Sequence, residues 1–332
     1  MGILNNFFKK EAPLLGLQGL GGGLGFLAGG GSASIVKASG GDVDGLEPGN
    51  GYAYHTFTTL GNGTFTVNSA LTAEILVVAG GGGGGMVDGG AGGGGAGGVA
   101  HCTSLSLPAG TYPIYVGAGD PVSTNTGGGA GTPSIFNSPA PTTAGRITAL
   151  GGGQGALGPR SAGANGTAGG SGGGGQGFAS TGSGASGTQP GQSNPPNTTN
   201  YGSAGLDGFQ TGSGYGGAGG GAGGAATPGQ NVGGPGKQFP GFLQPLAFNP
   251  PHPYTSQPRW ETTGYYGGGG GTEPGAANAA GGGGNPGNPD PSNSGEPGVN
   301  GLGGGGGTSP LPSWPTYKSG DGGHGVIIIR YQ

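Results

Sequence analysis

Two patterns divide this chain. Between residues 52 and 150, side chains alternate with the period of a β-strand. Tyr52-Ala53-Tyr54-His55-Thr56-Phe57-Thr58 and Thr64-Phe65-Thr66-Val67 both alternate, and Gly61-Asn62-Gly63 between them predicts a hairpin turn. Glu74-Ile75-Leu76-Val77-Val78-Ala79 is instead a continuous apolar run, which predicts a strand buried on both faces. Val99 to Leu107 and Thr111 to Val116 follow, joined by Pro108-Ala109-Gly110, with weaker strands at Ser134-Ile135-Phe136 and Arg146 to Leu150. The chain closes on Gly325-Val326-Ile327-Ile328-Ile329-Arg330-Tyr331, an apolar strand whose partner must be the sheet built from 52–150. About eight strands result, which predicts an all-β, jelly-roll-like β-sandwich over 41–150 plus 323–332.

In the second pattern, hydrophobic periodicity vanishes and glycine falls on every third position. It occupies 89, 92, 95 and 98, then 163, 166, 169, 172 and 175, then 214, 217, 220 and 223, then 295, 298, 301, 304 and 307. Three residues per turn is the period of the polyproline II helix, which has no internal hydrogen bonds. A face of glycine lets another backbone approach and bond to it. The runs break too often for collagen, so the expectation is short rods in a hexagonal bundle, fifteen residues spanning about 45 Å. Residues 151–322 then form a long insertion between two strands of one sandwich. If glycine marks rod contacts, changing Gly169 or Gly217 to Val should harm the fold more than changing Ser171 or Ala218.

Composition narrows the function. Glycine supplies 98 of 332 residues and proline 28, the signature of low complexity. Yet only 7% of residues are charged and 24 are aromatic, which argues for order. Net charge is −4 without a basic patch, so nucleic acid is not an expected partner. One cysteine, Cys102, cannot form an intrachain disulfide, and no Cys/His cluster suggests zinc.

Residues 1–40 form a separate segment, rich in large apolar side chains: Phe7, Phe8, Leu14, Leu15, Leu17, Leu20, Leu24, Phe26 and Leu27. Lys9 and Lys10 before an uncharged run resemble a signal peptide, but the glycines and Pro13 favour an anchor embedded in a partner or a sister copy. Asn6 breaks the myristoylation pattern begun by Gly2.

No catalytic constellation emerges. His55, His101, His252 and His324 lie in four different segments, and His101 and Cys102 are strand neighbours pointing to opposite faces. Glycine-rich nucleotide motifs match trivially here without a helix to follow them. Thirteen scattered acidic residues give no carboxylate pair for glycoside hydrolysis. Asp42, Asp44 and Glu47 lack a full calcium-loop pattern, so no metal and no cofactor are expected. The island 237–266 concentrates Phe239, Phe242, Phe248, His252, Tyr254, Arg259, Trp260, Tyr265 and Tyr266. Aromatics with an Arg suit a recognition surface; the competing reading is a satellite core sealing the bundle. Trp314 and Tyr317, beside Pro312 and Pro315, carry the same two readings, and the polar loop 189–201 is a weaker glycan candidate.

Four segments in order, YHTFTTLGNGTFTV at 54–67, EILVVAGGGGGG at 74–85, LPAGTYPIYVGAG at 107–119 and GGHGVIIIRY at the C-terminus, resemble the glycine-rich domain of bacteriophage tail-fibre and virion proteins. The resemblance spans about 52–332. It implies a sandwich carrying a polyglycine II bundle whose loops meet a host receptor. The expected function is a short tail fibre or fibre tip, not an enzyme. It would dock on other virion proteins by residues 1–40 and bind a host surface glycan or outer-membrane protein through Phe239 to Tyr266, Trp314 and Tyr317. Fibres are often trimers, so a homo-oligomer on the virion exterior is expected. A capsid decoration protein or head fibre is the alternative, and a secreted glycine-rich structural protein or receptor ectodomain the second.

Overall fold

The computed structural model describes residues 36–86, 90–120, 127–137, 145–157, 163–177, 180–209, 216–229, 231–242, 264–272, 279–286, 294–309 and 318–332. Among the described residues thirteen strands run in chain order: β1 Ala38–Ser39, β2 Val43–Leu46, β3 Ala53–Phe57, β4 Gly61–Val67, β5 Leu71–Val78, β6 Val99–Leu107, β7 Gly110–Val116, β8 Ser134–Phe136, β9 Ile147–Ala149, β10 Thr198–Tyr201, β11 Lys237–Gln238, β12 Tyr265–Tyr266 and β13 Val326–Tyr331. One sheet has the order β1-β4-β7-β8-β9, the second β10-β6-β5-β13-β3-β2, and β11 pairs with β12 alone. The fold is all-β, with the β5–β6 pair nested inside β4–β7 as in a wrapped jelly-roll hairpin.

The two large sheets enclose one core. Phe65, Val67, Ile114, Val116, Phe136 and Ile147 from the first sheet meet Phe57, Ile75, Val77, Cys102, Ile327 and Ile329 from the second. The second sheet is covered on its other face as well, where Leu76, Val78, Val99, Val326 and Ile328 pack against Ala222, Phe239, Phe242, Tyr266 and Leu302 of the glycine-rich region. Two-sided burial explains why β5 and β13 read as unbroken apolar runs. The C-terminal strand β13 lies between β5 and β3, pairing with both.

The expected hairpin at 61–63 does not form. Gly61, Asn62 and Gly63 lie inside β4, opposite Val116, Tyr115 and Ile114 of β7. Strands β3 and β4 belong to different sheets, so Phe57 and Phe65 reach the core from opposite sides, edge to face at 6.5 Å. A tight hairpin would have kept both on one sheet. The crossing is turned instead by Asp42, whose carboxylate accepts from Thr58 N (2.6 Å), Thr58 Oγ1 (2.7 Å), Thr59 N (2.8 Å) and Thr59 Oγ1 (2.7 Å). Burial opposes its ionisation, but these bonds from Thr58 and Thr59 outweigh burial and hold the carboxyl below its ordinary value.

The glycine stretches form a bundle that continues the sandwich end to end. Val78 of β5 leads directly into 79–86, and 91–98 leads back into Val99 of β6; the segments after β7 and β9, and those before β8 and β13, extend their strands in the same way. Successive N–H groups of one rod donate to three different neighbours. Gly82 and Gly85 donate to Gly95 and Gly92, Gly81 and Gly84 to Gly323 and Gly320, and Gly80 and Gly83 to Thr132 and Gly129, at 2.8 to 3.1 Å. A direction that repeats every third residue is the geometry of polyglycine II. The rod 92–98 has a complete hexagonal set. It donates to 150–156, 217–220 and 303–306, and accepts from 79–85, 171–174 and Gly270. In a bundle with few apolar side chains this pairing is obligatory, because a buried peptide group without a partner costs about 1–3 kcal/mol.

The glycine pattern sorts rods by depth. Inner rods such as 80–85, 92–95 and 303–307 are continuous glycine, fully enclosed, with neighbours on every side. At the rim glycine is needed only on the inward face. Gly202, Gly205 and Gly208 point at neighbouring backbone while Ala204 and Asp207 are exposed. The requirement is steric: a Cβ on Gly95, Gly169, Gly174 or Gly217 would lie closer than 3.0 Å to a neighbouring backbone atom, a separation real Cβ atoms do not show. Ser171 and Ala218 prove unsuitable as tolerant comparators, since both are fully buried.

Candidate functional site

The described part of the aromatic island is a clamped base. Lys237–Gln238 pairs with Tyr265–Tyr266, and Phe239 N donates to Gly264 O at 2.7 Å, so the chain leaves and returns at one point. Phe239, Phe242 and Tyr266 are buried on the outer face of the second large sheet, and the Tyr266 hydroxyl donates to Phe242 O. These three side chains seal the sheet and are not available for recognition, a correction to their reading as contact residues. Tyr265 is half-buried. Phe248, His252, Tyr254, Arg259 and Trp260 lie outside the described residues, as do Trp314, Tyr317 and the anchor candidates Phe7, Phe8, Leu14, Leu15, Leu17 and Leu20.

A charged cluster holds the clamp to the sheet. Glu74 is the one charge on β5 and Arg330 the one charge on β13, and strand register sets them opposite each other. Arg330 Nε donates to Glu74 Oε2 at 2.7 Å, while His101 Nε2 lies 2.7 Å from Glu74 Oε1. Arg330 Nη1 also donates to Gly241 O (2.7 Å), and the guanidinium covers the rings of Tyr52 (4.4 Å) and Phe242 (4.7 Å). Burial alone would lower the Arg330 pKa, but bonds to Tyr54 and Glu74 and the Glu74 charge raise it. Phe239 and Phe242 stand edge-on to the His101 ring at 5.1 and 5.4 Å, whereas Cys102 faces the core between the sheets. The polar groups of this constellation serve the fold: Glu74 ties Arg330 and His101 together across the sheet, and Arg330 Nη1 carries the bond to the clamp at Gly241 O.

The polar loop 189–201 closes the flank of the sandwich. Strand β10 extends the second sheet beside β6. Gln189 Oε1 accepts from Leu150 N (2.7 Å) and Asn194 Oδ1 from Thr148 N (2.8 Å), while both amides donate to Thr148 O. Side-chain amides thus stand in for a strand beside β9. Nothing in a run of Gln, Asn and Pro announces that role before the edge it covers is known.

The other candidate surface is the end of the bundle away from the sandwich. Described ends of the rods gather there, among them Met86 and Gly90, Leu157 and Gly163, Gly177 and Ser180, Phe209 and Gly216, Pro286 and Ser294, and Ser309 and Lys318. Their common level follows from register: Gly85 bonds to Gly92, Gly177 to Gly90, Gly217 to Gly175, and Gly84 to Gly320. Rods of about eight residues place this end about 25 Å from the sandwich. The stretch holding Trp314 and Tyr317 is bracketed at this end; the one holding Phe248 to Trp260 is bracketed beside the sandwich.

Two histidines tie the structure to pH. His55 is fully buried, with Nδ1 at 2.9 Å from Gly40 O and Nε2 at 3.1 Å from the Tyr331 hydroxyl. His324 Nδ1 accepts from Gly119 N at 3.0 Å, which requires that nitrogen to be unprotonated. Burial lowers both pKa values, against opposing contributions from Gly40 and Asp44 at His55 and from Asp321 at His324. Folded pKa values below the ordinary 6.5 mean that the unfolded chain takes up protons first. Stability is therefore full above about pH 6.5 and falls as pH drops from there through the folded values. Melting temperatures measured from pH 7.5 to 5 should decline, and decline less in His324→Asn; equal declines would remove His324 from the account.

Fold and site together define a class: an all-β sandwich that projects a hydrogen-bonded bundle of polyglycine II rods. Residues 56–332 match the family model described as a glycine-rich domain. The chain belongs to that family. No curated protein matches its sequence.

Proposed function

We propose that the protein is a bacteriophage structural component, a short tail fibre or fibre tip on the virion exterior, that binds the host surface and performs no catalysis. The observation that carries this reading is the convergence of rod ends at one end of a stiff bundle whose other end continues a sandwich. Rods joined by backbone hydrogen bonds supply rigidity, and their far end carries the recognition. The four sequence segments that resemble the glycine-rich domain of virion proteins support the same reading. Residues 1–40 dock on other virion proteins, the assembly is a homo-oligomer, and the ligand is a host surface glycan or outer-membrane protein.

Recognition falls first to the far end, including Trp314 and Tyr317, because Phe239, Phe242 and Tyr266 are sealed at the base. Replacing 311–317 with a Gly-Ser linker should reduce host adsorption at least tenfold while leaving the melting temperature within a few degrees. Replacing 244–262 should leave adsorption intact. Adsorption lost only in the second variant would move recognition to the sandwich flank. Adsorption unchanged in both would overturn the reading.

A further inference from the structure

A polyglycine rod directs N–H and C=O groups in three directions, so a rod at the rim presents a bare row wherever a neighbour is missing. Such a row is a template for one more rod, as an open strand edge is for one more strand. In this bundle several of those groups meet side chains. Ser183 N donates to Asn165 Oδ1 and Gly184 N to Asp207 Oδ1, both at 2.8 Å and both at the exposed rim. Gln154 N donates to Thr167 Oγ1 (2.7 Å), Ala164 N to Gln176 Oε1 (2.9 Å) and Lys318 N to Ser294 Oγ (3.2 Å). The inner rods instead bond backbone to backbone. Asn165 and Asp207 occupy outward positions of the glycine triplets, where any side chain would fit, yet both reach sideways onto the same rod, 180–188.

We infer that Asn165 and Asp207 terminate the hydrogen-bond lattice at this rim and keep it from accepting a glycine rod of a second copy of this chain. The partner excluded is specific, because only another polyglycine rod has the spacing and lacks the side chains to lie against 180–188. A carboxylate and a carboxamide suit this role. Each offers a strong acceptor on a short arm, and the Asp207 charge adds repulsion between like surfaces.

The test is sedimentation velocity of the full chain over a hundredfold concentration range, comparing wild type, the double variant N165A/D207A and the acceptor-preserving double variant N165D/D207N. The alanine pair should form species larger than wild type at a concentration at least tenfold lower, with a retained cooperative melt, while the acceptor-preserving pair sediments as wild type. Wild-type sedimentation of the alanine pair overturns the inference, and so does equal association of both pairs. Should the alanine pair lose its cooperative melt, hydrogen exchange of the wild type decides. Amides of Ser183 and Gly184 slowed at least tenfold relative to unstructured glycine support the caps, and unprotected exchange there removes them. Neither readout depends on host binding, so failure here and failure of the fibre reading are distinguishable.

Discussion

Gly217→Ala should unfold the bundle, whereas Gly110→Ala and Gly191→Ala should be close to silent. The three changes add the same methyl group, and only the surroundings differ. At Gly217 the methyl carbon would fall closer than 3.0 Å to the Leu206 carbonyl carbon and oxygen. That carbonyl already accepts from Gly175 N, and Gly217 itself donates to Gly175 O and accepts from Gly93 N. Relief by moving apart would therefore break bonds on several rods at once, because no flexible side chain stands in between. Overpacking in ordinary cores costs about 1–3 kcal/mol. Here backbone meets backbone, and a loss of at least about 3 kcal/mol is expected in chemical denaturation. Gly110 and Gly191 have no atom within 4 Å of the added methyl, and neither has a positive φ. Changes there should stay within about 0.5 kcal/mol. Equal tolerance at Gly217 and Gly110 would mean that the rods are not packed as described.

A chain ending at Gly325 should not fold. Strand β13 is only six residues long, but it occupies the middle of the larger sheet, and Val326, Ile327, Ile328 and Ile329 are all completely buried. Ile327 and Ile329 face the core between the sheets, while Ile328 and Val326 face the glycine-rich cover. Removal leaves β3 and β5 without a shared neighbour, strips Glu74 of Arg330 and detaches the last rod, 318–325, from its anchor. Circular dichroism and hydrogen exchange should report a largely unstructured chain. A milder version is Ile328→Ala, expected to cost about 2–5 kcal/mol as a large-to-small change in a packed core. A truncated chain that melts cooperatively near the wild-type temperature would show that the insertion is not held at both ends by one sheet.

Much of this architecture is legible in the order of the residues. The unbroken runs at Glu74 to Ala79 and Val326 to Ile329 announce strands covered on two faces, and the triplet glycines announce rods. Depth is not read from the triplets alone, because Gly92, Gly95, Gly304 and Gly307 belong to them and yet lie in fully enclosed rods. What is hidden depends on distant partners. Gly61-Asn62-Gly63 has the chemistry of a hairpin, yet the demand to place Phe57 and Phe65 in one core from opposite sheets overrides it. Asp42 reads as half of a calcium pattern because its hydrogen-bond donors, Thr58 and Thr59, lie sixteen and seventeen residues away. Strand β10 is four polar residues whose strand character comes from pairing with β6 alone. The pair Glu74 and Arg330 carries a usable signal, a single opposite charge on each of two apolar strands, which points to their adjacency.

The aromatic island shows why residue type alone cannot separate contact from sealing. Phe239, Phe242 and Tyr266 have the composition of a recognition surface, but the outer face of the larger sheet needs a cover, and they supply it. The decision rests on apolar area elsewhere in the chain, which no local pattern reports.

Amide hydrogen exchange resolved to the 92–98 segment tests the central claim most directly. Every N–H from Gly92 to Gly98 donates to a backbone carbonyl of another segment, so this glycine run should exchange as slowly as β5 and β13, and its protection should collapse together with theirs on denaturation. Exchange of 92–98 at the rate of an unstructured glycine chain, with β5 and β13 still protected, would contradict the bundle.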